Sequence, residues 1–255
     1  MIVIKSAREL KAMELACRIS ANVLKLAGTM VEPGVTTWEI DQNIRKYIEK
    51  QGATPSFLGY GDYPASSCIS VNNVVIHGIP SKNCILREGD IVSIDVGAFI
   101  DGFHGDNAYT FPCGDVSDEA KRLMDATRES LYEGIKAAQA GNRVGDISSA
   151  VQKYVENRSY SVVRDFVGHG VGAKLHEEPS VPNFGTPGRG PRLIPGMTIA
   201  IEPMVNMGDY KVKVLKDDWT TVTVDGKLSA HYEHTIAITP DGPKILTVAD
   251  SEVHL

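Results

Sequence analysis

The chain has 255 residues, 42% of them hydrophobic, and a formal charge of -6 from 32 acidic against 26 Lys plus Arg residues. A chain of this length buries roughly three quarters of its extended surface without staples. Its acid excess argues against a constitutive nucleic-acid binder or a polybasic membrane anchor. No apolar run approaches the ~18 residues of a transmembrane helix. Cys17, Cys68, Cys84 and Cys113 are scattered without a CxxC pair, which argues against a zinc knuckle or disulfide framework and points to the cytoplasm.

The first expected element is an amphipathic helix over residues 7–27, whose pattern is unlike a signal peptide's apolar core. Thr36 with Glu39 forms a capping box. It opens a second helix with the apolar stripe Ile40, Ile44, Tyr47 and Ile48. A β-like run then ends on Asp95. Asp101-Gly102, between Ile91-Val-Ser-Ile-Asp95 and Phe103-His-Gly-Asp106, is a type I′ hairpin signal. With these two residues as the loop, Asp95 faces Ala108. Asp106 then sits diagonally from Asp95 on the same face, at ~7–8 Å.

The pattern repeats. A helix over 118–138 matches 7–27 at an offset near 110, and two further segments match at an offset of 107. Ile147, Val151, Tyr154 and Val155 repeat the apolar stripe. Leu193–Glu202 repeats Leu86–Asp95, each ending a β-like run on a carboxylate. The expectation is one α+β domain of two half-units, approximately 1–115 and 116–255, related by a pseudo-two-fold. Asp95 and Glu202 would then occupy equivalent places. The sequon Asn157-Arg158-Ser159 reads as a chance match.

The carboxylates carry the chemistry. A buried, unpaired carboxylate costs several kcal/mol, yet Asp95 and Glu202 each close an apolar run. Glu233 lies in Ala230–Ile238, read as one alternating strand with His231 and Glu233 on one face. Glycine-flanked His169 adds a nitrogen ligand. Four converging carboxylates repel one another. Two divalent ions, bridged by carboxylates at ~3.5–4 Å, relieve that repulsion. Oxygen-rich donors with a single imidazole favour Mn2+, Fe2+ or Co2+. Gly168-His-Gly-Val-Gly-Ala173 fits a degenerate dinucleotide pattern, but the Lys-Leu-His-Glu-Glu-Pro that follows does not read as the required helix. There is no HExxH, P-loop or GxSxG.

Asp95, Asp106, His169, Glu202 and Glu233, in that order, resemble the ligand set of the pita-bread metallopeptidases. Within them the chain resembles the type I methionine aminopeptidases. The matching segments are Ser70–Pro80, Asp101–Asp106, Gly168–Gly172, His176–Pro179 and Ile201–Met204, spread over essentially the whole length. The stretch between Glu202 and Glu233 is too short for the helical insertion of type II enzymes. The resemblance implies a pita-bread α+β fold, a pseudo-two-fold antiparallel sheet with helices on its outer face.

It also implies roles. Asp106 and Glu233 would bridge two divalent ions (Fe2+, Mn2+ or Co2+, with Zn2+ also compatible). Asp95 would complete one site, and His169 with Glu202 the other. A water or hydroxide between the ions would attack the carbonyl after the first residue, with Glu202 shuttling the proton. His176 would donate to the developing oxyanion, and His77 would contact the scissile amide or position the substrate. Phe57, Tyr60, Tyr63, Cys68, Leu175 and Trp219 match an apolar slot for a methionine side chain. Phe57 and Leu175 depart from the Cys and Phe common in relatives. Asn72, Val74 and Ser229 match a monovalent-cation site (Na+ or K+).

Lys211, Lys213 and Lys216 form a basic strip. Its bland reading is a solvated face; its functional reading is contact with ribosomal RNA near the exit tunnel. The expected activity is removal of the initiator methionine from nascent chains whose second residue is small. The expected agent is a monomeric cytoplasmic enzyme with no membrane and no specific DNA partner. The rivals are an Xaa-Pro-type peptidase and a pita-bread binding protein without catalysis, the latter typically having lost ligands that are all present here.

Overall fold

The computed structural model describes residues 1–251. Ser6 caps α1 (Ala7–Gly28) and Thr36 caps α2 (Thr37–Lys50), each in a capping box with the glutamate three residues on. Strands β1 (Thr54–Pro55), β2 (Ser67–Val71) and β3 (Val74–Ile76) lead into a hairpin of β4 (Ile91–Ile100) and β5 (Phe103–Pro112). Helices α3 (Asp118–Ala137) and α4 (Val144–Glu156) follow. Next come β6 (Ser161–Val162), β7 (Gly168–Gly170), β8 (Glu177–Val181), β9 (Thr198–Ile201) and β10 (Met204–Asn206). The described chain closes with β11 (Val212–Val214), β12 (Thr221–Thr223), β13 (Ser229–His231), β14 (His234–Thr239) and β15 (Gly242–Ile245).

The paired strands are antiparallel. β4 pairs along its whole length with β5, and along successive stretches with β2 and β1. A five-stranded sheet runs β15-β14-β9-β7-β8, and two three-stranded sheets run β13-β10-β6 and β11-β12-β3. Among the described residues, no helix is long and apolar enough to cross a membrane.

The internal repeat extends to individual hydrogen bonds. A bridge joins Thr36 to Ile85, and its counterpart joins Arg143 to Arg192, an offset of 107 at both ends. The Gly34 N–H donates to the Leu86 carbonyl at 2.8 Å, and the Gly141 N–H to that of Leu193 at 2.9 Å. Leu86 and Leu193 donate back to Val35 and Asn142, both at 2.8 Å. In each half, therefore, the loop before the second helix is laced to the loop before the strand that carries Asp95 or leads directly into Glu202. That lacing sets where Asp95 and Glu202 emerge.

Packing follows the apolar stripes. Ile40, Ile44, Tyr47 and Ile48 of α2 join Val92, Ile94 and Val96 of β4 in one core. Ile147, Val151 and Val155 of α4 join Ile199 and Ile201 of β9 in another. Tyr109 of β5 packs against both. Tyr154 differs from its counterpart Tyr47. It is half-buried, with the Arg158 guanidinium 3.5 Å from its ring centroid. A phenol can trade burial for a cation on its face, and the period of the stripe does not report that choice.

Helix α1 lies directly on β5. A Cβ on Gly105 would overlap the backbone nitrogen and Cα of Cys17. Gly105→Ala is therefore expected to destabilise by about 1–3 kcal/mol through overpacking. This corresponds to a Tm lower by about 2–4 °C per kcal/mol. Thermal unfolding checks this, and an unchanged Tm would mean that the helix moves aside freely.

Candidate metal centre

The hairpin register is the expected one. Asp101 and Gly102 both have positive φ, 52° and 84°, as a type I′ turn demands. Asp95 pairs with Ala108 and Asp106 with Gly97, so the two aspartates lie diagonally across β4 and β5. His169 comes from β7, which runs between β8 and β9. Side chains on its flanking residues would overlap the Ala200 carbonyl (at Gly168) or the Glu178 carbonyl (at Gly170). The glycines let three strands close around one imidazole. Glu202 follows β9 directly.

Glu233 departs from expectation. Residues 230–238 are two strands rather than one alternating strand: β13 ends at His231 and β14 begins at His234, in different sheets. At the break, the Glu233 N–H donates to the Ala108 carbonyl at 2.9 Å, docking the glutamate on the β5 residue that pairs with Asp95. The break aims Glu233 at the aspartates. His231 instead turns behind Glu202, its Nε2 3.7 Å from Glu202 Oε2.

All five sequence-predicted ligands line one cavity of about 330 Å³. Ligand atoms of Asp106, His169 and Glu233 lie within 4.8 Å of one another. His169 Nε2 is 3.8 Å from Asp106 Oδ2 and 3.5 Å from Glu202 Oε1. Asp95 and Glu202 stand at the margin of that triad. Among the described residues, no lysine or arginine pairs with any of the four carboxylates, and Asp95 Oδ1, Asp106 Oδ1 and Glu233 Oε1 are buried without a hydrogen-bond partner. Orphaned carboxylate oxygens beside one imidazole nitrogen fit divalent cations, which would supply the missing positive charge.

The electrostatics agree. Burial, and then repulsion from Asp106 and Glu202, push Asp95 well above the usual carboxylate range. Burial raises Asp106 to about 7. Glu202 and Glu233 rise well above theirs through burial and then Asp106. Burial, with a smaller contribution from His176, lowers His77 to about 4 and His169 to about 3. His176 is lowered by burial alone.

These shifts set the pH dependence of the metal-free protein. A carboxylate raised in the fold contributes stability that is complete below its unfolded pKa of about 4 and lost as pH rises through about 7. Histidines lowered in the fold contribute stability that is complete above about 6.5 and lost as pH falls through about 3–4. Cations bind the ionised carboxylates and displace their protons. The gain in Tm on adding Mn2+ is therefore expected to be larger at about pH 8 than at about pH 6. Paired thermal scans check this, and a larger gain at the lower pH would contradict it.

The cavity's apolar wall includes Phe57, Tyr60, Tyr63, Cys68 and Trp219, as expected from the sequence. Leu175 does not line it. It is buried behind the wall, packed with Phe57, Tyr63 and Cys68, because its neighbour His176 takes the cavity side. Ile76, Phe166 and Val167 line the cavity unforeseen. Each lies within three residues of His77 or His169, and that adjacency was the available signal. His77 has φ 58°, a left-handed conformation uncommon outside glycine, just after β3. Its ring stands 5.9 Å from that of Trp219 and 5.6 Å from that of Phe166, edge to face.

The remaining predicted residues lie away from the cavity. The Asn72 carbonyl accepts from the Ser229 N–H at 2.9 Å, and Val74 begins β3. The Asn72 side chain is engaged by Asp90 and the Ile91 N–H. Lys211, Lys213 and Lys216 are all exposed, along β11 and the turn after it.

The family model of metallopeptidase family M24 matches residues 11–240. A methionine aminopeptidase of Clostridium perfringens is 56% identical over 97% of this chain and 99% of its own length. Methionine aminopeptidase 1 of Bacillus subtilis is 53% identical over 97% and 99%. The chain belongs to the methionine aminopeptidases of metallopeptidase family M24. Its fold matches the crystal structure of the Thermotoga maritima methionine aminopeptidase with a TM-score of 0.96, at 46% identity over 97% of this chain and 99% of that one. The architecture is the pita-bread fold. A prolidase from Pyrococcus horikoshii shares that fold alone, with a TM-score of 0.80 at 24% identity, this chain covering 66% of its length. The chain is thus an aminopeptidase of a metal-dependent family.

Proposed function

We propose that the enzyme removes the initiator methionine from nascent polypeptides whose second residue is small, using two divalent ions. The observation that carries this reading is the set of four carboxylates and one imidazole lining one cavity with an apolar wall, with no lysine or arginine partner among the described residues. Asp95, Asp106, His169, Glu202 and Glu233 would hold the ions. Bound there, Fe2+, Mn2+, Co2+ or Zn2+ supplies the Lewis acidity that lowers the pKa of water and polarises the scissile carbonyl.

The chain's own residues do the rest. Phe57, Tyr63, Cys68 and Trp219 hold the methionine side chain and exclude water from it; Leu175 braces that wall from behind. Glu202 takes and returns a proton at its carboxylate. His176 donates a hydrogen bond to the developing oxyanion, and His77 orients the scissile amide. His77 and His176 line the cavity beside the carboxylates, and a small second residue would let the scissile carbonyl approach them. Lowered pKa values keep both rings neutral near pH 7, so each carries one N–H and one lone pair.

Two half-units, approximately 1–115 and 116–255, would form the single catalytic domain. The two cores, each built from a helix pair and its strands, support that division. We further propose a monomer acting in the cytoplasm. A monovalent cation (Na+ or K+) would sit among Asn72, Val74 and Ser229. The exposed Lys211, Lys213 and Lys216 would meet the ribosome.

Hydrolysis of Met-Gly-Met, compared with Xaa-Pro peptides, under Fe2+, Mn2+ and Co2+ in turn tests the activity. Turnover of Xaa-Pro peptides alone, or of none, would defeat the proposal. Metal analysis after anaerobic purification tests the count of two. His176→Ala is expected to lower kcat by about 10²–10³-fold with little change in KM, the signature of a donor used in the transition state.

A further inference from the structure

His169 and His176 stand side by side, ring centroids 4.2 Å apart, yet their Nδ1 atoms meet partners of opposite character. His169 Nδ1 lies 2.8 Å from the Gly170 carbonyl oxygen. A carbonyl only accepts, so this Nδ1 carries the proton and Nε2 keeps a lone pair. That lone pair is the atom 3.5 Å from Glu202 Oε1 and 3.8 Å from Asp106 Oδ2, where it can ligate a cation.

His176 Nδ1 lies 2.6 Å from the Tyr60 hydroxyl. Here both directions are open in principle, and acid–base strength decides between them. A phenol is a stronger acid than a neutral imidazole N–H, and an imidazole nitrogen is a stronger base than a phenol oxygen. The bond therefore runs from the hydroxyl to the ring. The single proton of the neutral ring is then on Nε2.

Tyr60 is held for this contact. It sits in a short turn, Tyr60–Asp62, between Gly59 and Gly61, both at positive φ. The turn is closed by the Gly59 N–H donating to the Tyr63 carbonyl at 2.9 Å. Tyr63 is in turn pinned by its hydroxyl, which is 3.0 Å from the Ser67 carbonyl and 3.1 Å from that of Gly78. The Tyr60 and His176 rings lie 5.0 Å apart, tilted at 49°.

We infer that Tyr60 is a positioning residue whose hydroxyl holds His176 as the Nε2–H tautomer, making it a hydrogen-bond donor to the substrate. The Gly170 carbonyl holds the adjacent His169 as the opposite tautomer, a ligand. Two touching imidazoles thus perform different chemistry because one meets a carbonyl and the other a phenol. The inference rests on the donor role proposed above for His176, and it gives Tyr60 a task beyond lining an apolar wall.

Tyr60→Phe keeps the ring and removes only the hydroxyl. The test uses nitrogen-15 histidine-labelled protein loaded with Zn2+, which is diamagnetic, and two-bond proton–nitrogen correlation spectra. A His176→Ala sample identifies the His176 signals. The parent is expected to show His176 as Nε2–H and His169 as Nδ1–H. Tyr60→Phe is expected to shift His176 to a mixture or to Nδ1–H, leaving His169 unchanged. On Met-Gly-Met, kcat should fall about tenfold with KM within about twofold, and the loss should vanish in a His176→Ala background. A parent His176 found as Nδ1–H, or a tautomer unchanged by Tyr60→Phe, overturns the inference. A tautomer that changes while kcat does not would uphold Tyr60's hold on the ring and remove the donor role of His176.

Discussion

Replacing Asp106 by alanine is expected to lower kcat/KM by at least ~10³-fold, equivalent to about 4 kcal/mol of transition-state stabilisation. Asp106 is the carboxylate nearest the centre of the cluster: it belongs to the closest triad and contributes to the raised pKa values of Asp95, Glu202 and Glu233. Its removal takes away a shared donor that no neighbour can replace. Stability should move the other way. In metal-free protein Asp106→Asn deletes one of four mutually repelling acids, so its Tm at about pH 8 should equal or exceed the parent's. The parent should gain up to about 2.7 kcal/mol from an ion at a hundred times its Kd, and the variant much less. Retention of more than about a tenth of the activity would remove Asp106 from the metal site. A metal-free variant several degrees less stable than the parent would mean that the side chain is structural.

Lys5→Met is expected to destabilise the fold by about 3–5 kcal/mol, because it strips the counter-charge from a buried carboxylate. Lys5 Nζ lies 2.6 Å from Glu177 Oε2, with the two side chains only 2% and 7% exposed. The Lys5 N–H also donates to the Gly196 carbonyl at 2.8 Å, and Glu177 Oε1 accepts from the Lys174 N–H at 3.1 Å. The pair thus ties the segment before α1 to the loop that carries His176. At about 2–4 °C per kcal/mol, Tm should fall by about 10 °C. The double variant Lys5→Met with Glu177→Gln should recover most of this, since removing both charges leaves nothing buried and unpaired. A single variant within about 2 °C of the parent would show that water reaches Glu177 in solution.

Much of the site was legible without coordinates, for identifiable reasons. A two-residue hairpin loop forces the pairing of every residue on both strands, so Asp101-Gly102 alone placed Asp95 and Asp106 on one face. The repeat is carried by apolar periodicity and by glycines at turns, which are local, and it reappears in hydrogen bonds at the same offset. Carboxylates that end apolar runs stand out because burying a charge has a cost that a sequence would not bear idly.

Periodicity and turn chemistry report on a residue's own neighbours along the chain, and their reach ends there. The break between His231 and His234, which aims Glu233, follows from a hydrogen bond to Ala108 on another strand. Leu175 lies behind the wall because His176 claims the cavity, and both choices are apolar-compatible. Lys5 finds Glu177 across 172 positions, and Tyr60 finds His176 across 116. The local pattern was enough for the α+β half-units, the hairpin register and the five residues that line one cavity. The tautomers of the two histidines and the buried ion pair depend on which polar atoms meet in space, because a polar group's free energy is set by the partner that replaces water.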